Sequence, residues 1–238
     1  RVLEARQPNP TLHPAGAPLA VALAQWADGM LFGAAVSWAM QPAGVAAILG
    51  EQPPEVLKAF AVDRAAMRAN APRPTLVDAT AQLKQHLSVI ATQLQRGGPW
   101  LLGAAPSIAD FSVGHCLWFI RLAQPVAHLL DDYPPIGPWL DRLFAIGHAT
   151  STPMDSGAAL AVAAGAALPA PTGVEPGLGL EAGQAVTVAA TDYGVDPVAG
   201  TLVGLNGQEV VLRRSDARAG TVHVHFPRFG FQIRADRA

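Results

Sequence analysis

Few side chains in this 238-residue chain combine a reactive type with a useful spacing. Ser107 and Asp110 stand three apart at the mouth of an apolar run, the spacing of a capping box. In that motif the serine caps the free N–H groups of a new helix and the carboxylate reaches back to the serine N–H. Residues 111–120 are apolar on nearly every face, so this helix is expected at the centre of a domain. The pair then has a structural role. Cys116, the sole cysteine, lies in the same run and reads as a small buried residue or as a reactive thiol. His115 beside it reads as a core histidine bonded to a carbonyl, or as a base. His223 and His225 lie two apart in a strand pattern and share a face. With Asp192 or Asp216 as a third ligand they would suit a metal; an exposed pair fits equally. Arg213, Arg214, Arg218 and Arg228 gather nearby, as an anion patch or as a solvated strand face. The glycines of residues 177–183 precede no helix, so they make no dinucleotide loop. No Ser/His/Asp spacing and no zinc-type cysteine pair is found.

Composition narrows the partners. Sixteen basic residues face eighteen acidic ones with no basic block, which excludes nucleic acid as an expected partner. No uninterrupted apolar span approaches transmembrane length and no signal-peptide pattern is present, so no membrane contact is expected. A single cysteine fits a reducing cytoplasm. Residues 1–6 read as the last turns of a helix already under way, as if the chain began inside a longer protein.

Prolines at 8, 10 and 14 make residues 7–16 an extended connector. The periodicity then predicts a helix over 18–40, with Leu19, Leu23, Trp26, Met30 and Ser37 as its stripe and Gly33 allowing close approach. A second helix is predicted over 54–70, with Val56, Phe60 and Met67 on one face. A third spans 75–96, with Leu76, Leu83, Leu87, Ile90 and Leu94 as its stripe. Shorter helices follow at 125–130, 137–146 and 158–167. Residues 168–178 read as a Pro/Gly/Ala linker. From residue 179 the period switches to two. Strands are predicted at 184–189, 201–205, 208–212, 221–226 and 229–233, with Asn206-Gly207 as a hairpin turn. The fold expected is mainly α: a helical domain over 17–167, then a small antiparallel β domain over 179–238.

The Leu/Gly turn, capping box and buried helix of residues 99–110 and beyond resemble the C-terminal helical domain of glutathione S-transferases. The Leu3-Glu4 pair, the proline-rich link and a long helix with an early Trp are similar to that family's domain junction. The resemblance covers about residues 1–167 and implies that 1–16 are the tail of a thioredoxin-like domain plus connector. It implies conjugation or reduction of a small apolar electrophile with glutathione as cosubstrate, by a cytoplasmic homodimer. The segments that activate the thiol in that family do not match any part of this chain, so no catalytic residue is assigned. By position, the electrophile pocket would draw on Trp26, Met30 and Gly33 of the first long helix and on His115, Trp118 and Phe119 of the buried one. The same residues would equally serve as core. Asp28 would approach glutathione across a dimer interface, or stand as a solvated acid. A non-catalytic binding or scaffolding protein of the same fold is the alternative.

Overall fold

Alanine and leucine at helical spacing carry the first part of the chain into helices. The computed structural model describes residues 4, 6–68 and 74–236. The helix end expected at residues 1–6 and the last residues of the helix expected over 54–70 fall largely outside them. Among the described residues the helices are α1 (Ala20–Ala39), α2 (Pro42–Leu49), α3 (Pro54–Met67), α4 (Leu76–Gly97), α5 (Ile108–Leu122), α6 (Ile136–Phe144) and α7 (Ser156–Gly165). A 3-10 helix occupies Gln124–Asp132, where a short helix is predicted over 125–130. The strands are β1 (Gly173–Val174), β2 (Ala185–Ala190), β3 (Val198–Leu205), β4 (Glu209–Asp216), β5 (Gly220–Pro227) and β6 (Phe231–Ala235). By contacts the chain forms two units, Arg1–Lys58 with Pro72–Ala149, and Ala59–Ala71 with Thr150–Ala238. The second half of α3 and all of α7 therefore belong with the strands, although their composition reads as helical domain.

In the helical unit, α1 departs from expectation in which face it buries. Its core stripe is Ala20, Ala24, Ala27, Leu31, Ala34, Ala35 and Ala39, while Leu19 and Met30 stay 64% and 65% exposed. Short side chains let α1 approach α5 closely, which a stripe of Leu, Trp and Met would prevent. The helix is also widened by a π-turn at Ala27–Leu31, which breaks the regular register. In α4 the predicted stripe holds at Leu83, Leu87, Ile90 and Leu94, but Leu76 is exposed. Thr75 caps that helix by accepting the Asp78 N–H at 3.1 Å. In the predicted stripe of α3, Val56 is exposed and Phe60 and Met67 are only half-buried. Helix α2 is not anticipated; its signal is Pro42 at the first helical position.

Helix α1 is also the one described helix long and apolar enough, by length and composition, to cross a membrane. This amends the expectation that no span approaches that length. Its alanine face is nevertheless packed in the core of the helical unit.

In the other unit, β5-β4-β3-β2-β6 form an antiparallel path, and β1 adds to β3 in parallel. The module is thus not wholly antiparallel, and the predicted linker contains a strand. Glycine explains the fit of that strand: a Cβ at Gly204 would run into the Thr172 hydroxyl. Val186, Val188, Leu202, Leu205, Val210 and Leu212 form the core. Asn206 Oδ1 accepts the Gln208 and Glu209 N–H groups at 2.8 and 3.0 Å and closes the predicted turn.

Candidate functional site

Helix α5 organises the helical unit, and its start shows how. Ser107 and Asp110 are fully buried and close the capping box. Asp110 Oδ2 accepts the Ser107 N–H at 2.9 Å and the Ser107 hydroxyl at 3.0 Å. Its other oxygen accepts the Leu101 N–H at 2.9 Å and the Trp139 indole N–H at 3.0 Å. One carboxylate thus joins the turn before α5, the helix start and α6. The proline-rich connector is pinned to the same point, because Leu12 O accepts the Ile108 N–H at 2.8 Å. Four protein donors thus fill the acceptor sites of this carboxylate.

The six candidate pocket residues fall into separate groups. His115, Trp118 and Phe119 of α5 come together with Phe32 of α1. The His115 ring lies nearly parallel to Phe32 (5.7 Å, 11°) and to Trp118 (6.4 Å, 17°). Phe119 meets all three edge-on at 5.0–5.7 Å. His115 is exposed and Trp118 is 40% exposed, so neither is the core residue that apolar surroundings in sequence suggest. An all-round apolar helix still has an outward face when one side is left uncovered. Trp26 is placed elsewhere, edge-on to His86 of α4 at 5.1 Å. Met30 is exposed on the π-turn, and nothing surrounds a Cβ built at Gly33. Sequence reasoning missed Phe32 and His86. Phe32 lies beside Gly33 in the same stretch, and His86 interrupts the Leu83–Leu87 stripe, which was the available signal.

Cys116 is the buried residue of its two readings. Its S–H lies 3.3 Å from both Ala27 O, inside the π-turn, and Ser112 O. Burial, and secondarily the Asp28 charge, push its pKa up to about 12, so at neutral pH it is a thiol and a poor nucleophile. Asp28 itself is exposed on the π-turn.

His86 has its pKa lowered by burial, and its Nε2 has no hydrogen-bond partner. The folded state resists protonation while the unfolded chain takes up a proton near the ordinary histidine value. Stability is therefore expected to fall as pH drops through the ordinary histidine value, and to level off below the folded pKa. Urea midpoints of His86→Gln should show a shallower fall than the parent over this range. Equal slopes would mean that the ring is freely hydrated in the folded protein.

In the strand unit the two histidines stand in different surroundings. His225 Nδ1 lies 3.1 Å from Glu209 Oε2, and the buried Nδ1 of His223 has no partner. Among the described residues no three His, Cys, Asp or Glu side chains converge. Asp192 and Asp216 are engaged locally: Asp192 accepts the Tyr193 N–H, and Asp216 accepts the Arg218 and Ala219 N–H groups.

Comparison with known proteins places this geometry in context. Residues 46–142 match the family described as glutathione S-transferase, C-terminal domain. The chain is similar to the crystal structure of a GST-like protein from Pseudomonas syringae, at 38% identity and a TM-score of 0.75. The match covers 99% of this chain and 75% of the other. No curated protein matches it.

Proposed function

Because this chain belongs to the glutathione S-transferase family, we propose that its helical unit holds an apolar electrophile for reaction with glutathione. The observation that carries the reading is the stack of exposed His115 and Trp118 on half-buried Phe32, backed by Phe119. Aromatic rings exposed side by side offer a flat apolar surface on which a planar electrophile stacks. Trp26, Met30 and Gly33 stand apart from that group and would contribute only a separate part of the pocket. Glutathione would supply the thiolate nucleophile, which attacks the electrophile and displaces its leaving group. The charge suited to the glutathione ammonium in this chain is the exposed Asp28 on the π-turn, and a homodimer in the cytoplasm is the expected setting. Cys116 plays no part in thiol chemistry, since it is buried and protonated.

In the intact protein, Trp118→Ala is expected to raise KM for a chlorodinitrobenzene-type substrate several-fold, with kcat within about twofold. Loss of about 1 kcal/mol of stacking corresponds to that change. Failure of the intact, folded protein to bind glutathione would sink the transferase reading. Binding without turnover would favour the non-catalytic alternative.

A further inference from the structure

We propose that the strand unit carries a binding groove for a small organic phosphate, independent of the transferase reading. The β3–β4–β5 register sets Thr201 opposite Arg213 and Arg213 opposite His223, with Ser215 opposite Thr221. Side chains alternate across a strand, and Leu202 and Leu212 point into the core. Thr201, Arg213, Ser215 and Thr221 therefore share the other face. Helix α7 approaches the start of β5, with Ala164 Cα 3.8 Å from a Cβ built at Gly220. Leu168, just beyond α7, walls an open groove of about 660 Å³ over that face, lined also by Thr201, Arg213, Arg214, Ser215 and Thr221.

The groove contains donors and no carboxylate. Arg213 has Thr201 and His223 as cross-strand neighbours, where an acidic partner would ordinarily balance it. Among the described residues no carboxylate lies within ion-pair distance of Arg213. The acids on its own strand are engaged: Glu209 with His225 at 3.1 Å, and Asp216 with two turn N–H groups at 2.8 Å. A guanidinium fork flanked by three hydroxyls suits an acceptor with more than two oxygens, which favours phosphate over carboxylate. Leu168 adds an apolar wall, 42% exposed, against which the organic part of a monoester packs.

Phenyl phosphate titrated into the full chain at constant ionic strength, followed by calorimetry and amide chemical shifts, tests the site. Saturable binding is expected, with the shifts centred on Thr201, Arg213 and Ser215. Arg213→Gln should weaken it tenfold or more, and Arg213→Lys, which keeps the charge and loses the fork, by an intermediate factor. Arg228→Gln, in a separate hollow, should leave it within twofold. Leu168→Ala should bring phenyl phosphate down to the affinity of inorganic phosphate. The site is overturned if chloride moves the same resonances equally, or if Arg213→Gln binds like the parent. Should Arg213→Gln lose its fold, parent-like binding by Arg213→Lys overturns it instead. Equal affinity of the parent for inorganic and phenyl phosphate overturns the organic part.

Discussion

Replacing Asp110 with alanine is expected to lower the unfolding free energy of the helical unit by about 4 kcal/mol, a large share of a marginal domain's stability. The magnitude follows from what the carboxylate holds. Four donors end on it: the Leu101 and Ser107 N–H groups, the Ser107 hydroxyl and the Trp139 indole. Each buried donor left without a partner costs about 1–3 kcal/mol, and water reaches the vacated space too poorly to restore four bonds. Asparagine in the same place keeps the shape but turns one acceptor into an NH2 group facing existing donors. Asp110→Asn should therefore lose about 2–3 kcal/mol. Urea denaturation followed by tryptophan fluorescence reads both variants, since Trp139 is a partner in the network. An unchanged midpoint for Asp110→Ala would mean that the network is not closed in solution.

Gly114→Val is expected to cost about 3 kcal/mol, and Gly114→Ala less. Gly114 is buried in α5, where a Cβ would run into Leu143 Cδ2 of α6 and sit 3.8 Å from Trp139. Leu143 is 5% exposed, so it has little room to turn away. Overpacking of this kind typically costs 1–3 kcal/mol, occasionally more. Alanine would recover roughly 1 kcal/mol in helix propensity, which valine would not match. The decisive comparison is a double-mutant cycle with Leu143→Ala. If the clash is the cause, Gly114→Ala should be less damaging in the Leu143→Ala background than alone. Additive losses would point to a different origin.

The helical elements were legible wherever a stripe of large apolar residues matched the buried face, as in α4. They were misread where alanine did the packing. In α1 the large residues are the conspicuous ones, yet the alanines beside them make the contact with α5. Local spacing ranks residues by hydrophobicity, whereas close helix packing selects for small size. The candidate site was legible by residue type but not by grouping. His115, Trp118 and Phe119 were named, while Phe32, which stacks on His115, comes from a helix distant in the chain. The π-turn at Ala27–Leu31 was invisible because nothing in its composition distinguishes it from a regular turn. The same holds for β1, whose two residues gain strand geometry only by pairing with β3.

Sequence alone determined the starts of α3, α4 and α5, the change from a helical to a strand period, the Asn206-Gly207 turn and the Ser107–Asp110 box. Each depends on interactions within a few residues, so spacing is sufficient to specify it. Tertiary structure alone decided which face of α1 is buried, that Leu101 and Trp139 complete the coordination of Asp110, and that Arg213 faces Thr201 and His223. Those outcomes depend on residues far apart in the chain meeting at fixed distances, and periodicity along one segment carries no information about its partner.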